Sequence, residues 1–317
     1  MALLGWLARH GKLVLVAGLV LGIAWPGLAR AMQPLIVPMI AFLLFLAALR
    51  IGPEAAGARP GGMARSVGLT VLFQTLLPLA WLGALALFGW QTSLVGIGMV
   101  LALAASPITG SPGLAILSGA DPAPALRQLV LGTALLPLTV LPVFWLMPVF
   151  ADHGAALRAA GELTAIIVLA GGGAFLLRLA VPRLGGPEAA QAIDGLTALA
   201  MAVVVVALMS AIGPALIAGE AALWGILALV LTLNFGTQLG VWAAFRRAGA
   251  AGAAPAMGIV AGNRNLALFL GALPPEMVEA LLLFVGCFQV PMYLTPLVMA
   301  RLYRRGGPPA HGIQERR

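Results

Sequence analysis

The stretch Gly262-Asn263-Arg264-Asn265 interrupts a long apolar run, and a second interruption lies at Ser106-Pro107-Ile108-Thr109-Gly110-Ser111-Pro112-Gly113. Each has hydrophobic sequence on both sides. Gly- and Pro-interrupted hydrophobic segments at corresponding places in two halves of a chain are the sequence mark of a secondary transporter's binding site. The arginine adds weight, because an ionisable residue at that depth costs at least ~2.5–3.5 kcal/mol.

The composition around these breaks is that of a membrane protein. Of 317 residues, 62% are hydrophobic and 9% charged, against about 45–50% and about 25% in soluble domains. Ten apolar segments can be read, roughly 11–29, 33–50, 66–89, 93–119 (broken), 123–149, 159–180, 194–217, 221–245, 254–274 (broken) and 277–303. A span needs about 20 residues, and every link between these segments is short. Arg9 and Lys12 before the first segment also fit a cleaved signal peptide ending near Ala29-Arg30-Ala31.

Charge gives the orientation. With ten spans, fifteen of the eighteen basic residues, among them Arg9, Arg50, Arg59, Arg65, Arg127, Arg246, Arg247, Arg316 and Arg317, collect on one side. Arg30 and Arg158 fall on the other, and Arg264 is left inside the membrane. Positive charge marks the cytoplasm, so both termini are expected there. Only one basic residue, Lys12, is lysine; with the abundance of Ala and Gly, this resembles the composition of a GC-rich bacterial genome and points to a bacterial inner membrane. The net charge of +8 is scattered over segment ends. It forms no nucleic-acid patch; the lipid bilayer is the expected partner.

The halves echo each other. LAILSGADP at 114–122 and LALFLGALP at 266–274 match at five of nine positions with an offset of 152, and each directly follows a break. Five spans per half is odd, so the halves would face opposite ways. The expectation is an all-helical fold of two inverted five-span repeats, 1–152 and 153–305, with a cytoplasmic tail over 306–317 and a site at the midplane between the halves.

Broken backbone inside a membrane survives only within protein or beside a water-filled cavity. Pro107 and Pro112 remove backbone donors, and Gly110 and Gly113 permit turns. An unwound centre frees carbonyls for cations, while a following half-helix presents N–H groups to anions. Ser106, Thr109, Ser111, Asn263 and Asn265 add side-chain donors and acceptors; Gln74, Thr75, Asn234, Thr237 and Gln238 either line the same site or bond neighbouring helices. Gln289 and Thr295 read as partners for backbone near Pro291 and Pro296.

At these residues the chain resembles the bile acid:sodium symporter family. Gly262 through Leu268 looks like that family's Gly-Met-Gln-Asn stretch in the ninth span. Ser106-Pro107 through Asp121 looks like its Cys-Pro-Gly-Gly-Thr…Gly-Asp stretch in the fourth, and Gln74 with Pro78 like its Gln…Pro pair in the third. Asn234-Phe235-Gly236 with Gly240 is a weaker match in the eighth. The resemblance implies a panel of spans 1, 2, 6 and 7 and a core of spans 3–5 and 8–10. In the core the fourth and ninth spans cross, and substrate binds between panel and core. It further implies sodium ligands, of which Gln74, Asn265 and Ser111 have counterparts here. The departures weigh against sodium. The family glutamate two residues before the ninth-span glycine is Val260, and the family's Gln is Arg264. Ser111 is followed by Pro112 rather than Asn, and two hydroxyl positions fall near Ala125 and Leu129.

Arg264 then reads as a fixed cation in place of bound sodium. It would pin the crossing by donating to carbonyls freed near 106–112, or bind a substrate carboxylate directly. The alternative is an arginine nearer the surface that snorkels to water. The leading expectation is secondary active transport of a small organic anion, with no cofactor. A proton-coupled or uncoupled carrier, an arsenite-type exporter of the same superfamily and a non-transporting sensor with the same fold stand beside it. No nucleotide-binding motif and no catalytic dyad or metal set at depth point to an enzyme. The single Cys287 excludes an internal disulfide.

Overall fold

The computed structural model describes residues 2–52, 60–150 and 152–306. Arg59, Arg316, Arg317 and the tail from 307 onward lie outside these described residues.

Helix is the only regular structure of any length among the described residues. The first half contains α1 (Ala2–Arg9), α2 (Gly11–Ala24), α3 (Pro26–Met32), α4 (Ile36–Ile51), α5 (Pro60–Val71), α6 (Leu77–Leu87), α7 (Leu94–Ala104), α8 (Ser111–Leu117), α9 (Pro122–Ala134) and α10 (Leu136–Leu146). The second contains α11 (His153–Ile167), α12 (Gly173–Ala180), α13 (Pro187–Leu208), α14 (Ile212–Ile217), α15 (Ala221–Arg247), α16 (Ala254–Gly262), α17 (Pro275–Val298) and α18 (Ala300–Gly306). Two wide turns of π-helix, Leu72–Leu76 and Val168–Gly172, join α5 to α6 and α11 to α12.

Six helical stretches are long and apolar enough to cross a bilayer, and eight if two bent pairs each count as one. Large apolar side chains such as Leu87, Leu169 and Ile217 face outward, as suits lipid rather than water. The protein is a multi-pass membrane protein. The expected fourth and ninth segments do not count as long helices, because both are interrupted. The chain leaves helix after Ala104 and re-enters at Ser111; it leaves again after Gly262 and continues as a 3₁₀ turn, Leu266–Gly271.

Other boundaries differ from the sequence reading. The first segment ends at Ala24 rather than near 29, because Pro26 has no N–H to continue the helix and instead starts the next one. The fifth is bent by 62° at Leu135, where Pro137 withholds a donor. The seventh begins earlier, at Pro187, and breaks after Leu208.

Two sets of helices stand out in the packing, joined by contacts of α10 with α11 and of α13 with α17. α13 lies against α1, α2, α3 and α4, and α4 against α12. α15 lies against α16 and α17, α16 against α8 and α9, and α5 against α9. The α15–α16 contact is extensive and tight. A Cβ on Gly258 would come within 2.9 Å of the Gln238 carbonyl oxygen, and one on Gly262 within 2.6 Å of the Asn234 carbonyl oxygen. Small residues four apart let two membrane helices approach in this way. Gly262→Ala is therefore expected to force α16 off α15, at a cost of about 1–3 kcal/mol. A lower unfolding midpoint of the detergent-purified protein checks it; an unchanged midpoint would contradict the packing.

Candidate functional site

The two interrupted segments cross and bond to each other. Ile108 N–H donates to the Asn263 carbonyl at 3.0 Å, and Asn265 N–H donates to the Ser106 carbonyl at 2.8 Å, an antiparallel bridge between Pro107 and Arg264. Backbone that Pro and Gly keep out of helix thus finds its partners in the other segment, as an apolar surround requires. Ser111 steadies the first break, its hydroxyl donating to the Ile108 carbonyl at 2.7 Å.

Arg264 lies in the middle of this crossing and is 2% exposed. Its Nε donates to the Ala261 carbonyl at 3.0 Å and its Nη1 to the Ala105 carbonyl at 3.1 Å. Ala261 is in the last turn of α16, and Ala105 caps α7. The guanidinium therefore sits at the C-terminal ends of two half-helices, where unpaired carbonyls give each end a partial charge of roughly −0.5. Its carbon also stands 5.3 Å from the centre of the Phe73 ring, in cation–π range. Nη2 is buried and has no hydrogen-bond partner among the described residues. With two inward-facing bonds and this burial, the snorkelling alternative does not describe the side chain.

A small cavity of about 50 Å³ opens beside the guanidinium. The crossing supplies Arg264, Thr109 and Asn265 to its wall, and α17 supplies Gln289 and Tyr293. The facing wall is apolar and comes from α4 and α13. Thr109 also borders a larger, mainly apolar cleft of about 320 Å³ between α4, α9 and the α11–α12 segment. Thr109 thus stands between the two spaces.

The remaining site residues take other places. Asn263 is fully buried; its Nδ2 donates to the Ile259 carbonyl at 2.9 Å and its Oδ1 accepts from the Thr295 hydroxyl at 3.1 Å. The Ser106 hydroxyl is buried without a partner among the described residues. Gln74 sits on the Leu72–Leu76 π turn and is bound at both ends. Its Nε2 donates to the Gly132 carbonyl at 2.9 Å, and its Oε1 accepts from Thr139 at 2.6 Å. It lies beside the crossing rather than in the cavity, since a Cβ on Gly132 would meet both Gln74 and Pro107 at 2.9 Å. Val260 is wholly buried among Ile259, Ala256, Tyr303 and other apolar groups.

A polar network not assembled from sequence extends from Asn263. Thr295 joins it to Gln238 at 3.0 Å, and Gln238 accepts from the Tyr303 hydroxyl at 3.0 Å and donates to Asn234 at 2.6 Å. Asn234 in turn donates to the Gly262 carbonyl at 2.7 Å. These residues fix α15, α17 and α18 to the second break. Thr295→Val leaves the Asn263 and Gln238 amides short of a partner, an expected loss of about 1–3 kcal/mol, read as a lower unfolding midpoint. No change in the midpoint would show that the network contributes nothing there.

No known protein-family model matches the chain, and no curated protein matches it in sequence.

Proposed function

We propose that this membrane protein is a secondary transporter that carries a small organic anion by alternating access, with Arg264 as a built-in cation where related carriers bind sodium. The observation that carries the reading is the guanidinium at the C-terminal ends of α7 and α16, inside a crossing of two broken segments. Carbonyls freed at such a crossing form a cation site. Here a side chain fills that role, so a diffusible cation is not needed to hold the two half-helices together. Sodium prefers negative ligands, and neither Val260 nor Arg264 provides one.

Ten spans, counting the two broken segments and the two bent pairs, make two inverted halves, 1–152 and 153–305, with both termini in the cytoplasm of a bacterial cell. The helices α1–α4 and α11–α14 would be the panel and the others the core. The packing of α13 on α1–α4 and of α15 on α16 and α17 suits that division, while α10 and α11 pack across it. The cavity beside Arg264 has one wall from each group, which suits a substrate bound between them. Membership of the bile acid:sodium symporter family is part of this proposal and rests on the resemblance of the two breaks and of Gln74.

Uptake by the purified protein in liposomes tests the reading. Radiolabelled mono- and dicarboxylates are offered, with empty liposomes as the control. Saturable uptake of at least one anion, reduced by Gln289→Leu in the cavity wall, is the expected result. No uptake of any organic anion in either membrane orientation would contradict it.

A further inference from the structure

The Arg264 guanidinium has five N–H donors, and the two crossing carbonyls account for only two of them. The Nη2 group is buried and unpartnered among the described residues, on a side chain that is 2% exposed and lines the 50 Å³ cavity. Leaving charged donors unsatisfied in a low-dielectric site is costly, so the cavity favours whatever can accept from them. Thr109, Asn265 and Gln289 stand around the same space; neither amide forms a side-chain hydrogen bond among the described residues. Backbone structure has not consumed them, in contrast to Asn263, Gln74 and Ser111.

Size and charge narrow the occupant. The volume is roughly four times the ~10–15 Å³ that one water needs, which is the scale of a carboxylate or a halide and too small for a bulky organic body. Among the described residues, Arg264 is the only charged one on the wall, and the opposite face from α4 and α13 is apolar. A second negative charge would have no partner there. We propose that this cavity binds one compact monovalent anionic group, held by the Arg264 guanidinium with Thr109, Asn265 and Gln289 around it. It rests on the transporter reading only for the origin of that group, which is either the carboxylate head of the transported anion or a free halide.

The test uses full-length protein purified in detergent, with potassium salts at constant ionic strength. Formate and chloride are expected to raise the unfolding midpoint saturably, and the divalent sulfate and thiosulfate are not. Gln289→Leu and Thr109→Val should each weaken the apparent affinity about tenfold, as expected for a lost hydrogen bond to a charged group. Arg264→Met should abolish the effect; if it does not fold, the other two variants decide. Equal stabilisation by all four salts, or saturation that the variants leave unchanged, would overturn the proposal. In liposomes, competition of formate and chloride with uptake assigns the site to the substrate head, and a requirement for chloride assigns it to a free co-ion. Uptake indifferent to both at saturating occupancy overturns it. Because the binding arm needs no transport, anion binding without uptake counts against the transporter reading alone. Uptake without saturable anion binding counts against this proposal alone.

Discussion

Arg264→Gln is expected to lower the unfolding midpoint of the purified protein substantially, and sodium, but not potassium or choline, is expected to restore part of the loss. The guanidinium makes charge-assisted bonds to Ala105 and Ala261, each worth about 1.5–3 kcal/mol. Removing it leaves two helix C-terminal ends facing each other across the crossing with no cation between them. Glutamine keeps an amide close to the same place but brings no charge. A small oxygen-seeking cation is the natural replacement at freed carbonyls, and sodium is an ion that unwound helices of secondary transporters coordinate. Binding to the folded state alone stabilises by mass action, so the rescue should grow with sodium concentration. Arg264→Lys separates charge from geometry. A lysine retains the positive charge, and sodium should then give no rescue. Equal rescue of Arg264→Gln by choline would show a general salt effect rather than a vacated cation site.

Gly172→Phe should reduce uptake at least tenfold while leaving the unfolding midpoint nearly unchanged. Gly171 and Gly172 lie on the Val168–Gly172 π turn and border the 320 Å³ cleft. A Cβ at either position meets nothing within 4 Å, so a larger side chain there starts into the open space of the cleft. The cleft separates α4 and α12 from α9, faces that the proposed alternating access would move relative to each other. A ring wedged there favours one state, and shifting an equilibrium by about 1.4 kcal/mol is already tenfold. Measuring uptake and the midpoint on the same preparation distinguishes a blocked cleft from a damaged fold. Unaltered uptake by Gly172→Phe would mean that this cleft does not change during transport.

The two breaks were legible in the sequence because their residues act locally. Pro107 and Pro112 lack donors, Gly110 and Gly262 lack side chains, and the polar residues between them stand out in apolar runs. The buried position of Arg264 followed from the same contrast. Its acceptors followed only in part. The carbonyls were expected near 106–112, and the guanidinium reaches Ala105, next to that stretch, but also Ala261, on the helix just before it. Every residue carries a carbonyl, and only the geometry of the crossing selects which are free. The Asn234–Gln238–Thr295–Asn263 network was hidden for a related reason, since its members come from separate helices whose register no local pattern encodes. Thr295 does bond the Pro291 carbonyl at 2.9 Å, as its position near that proline suggests, and carries the network besides. Gln289 faces the cavity instead. The π turn that presents Phe73 to Arg264 has no sequence signal at all, whereas the bend at Leu135 had one in Pro137.

The most direct measurement compares uptake of the transported anion by the wild-type protein in liposomes with sodium and with choline outside, at equal ionic strength and no other gradient. A cation built into the chain predicts the same initial rate in both, with sodium stimulation appearing only in Arg264→Gln. Wild-type uptake that stops when sodium is withdrawn would contradict the account.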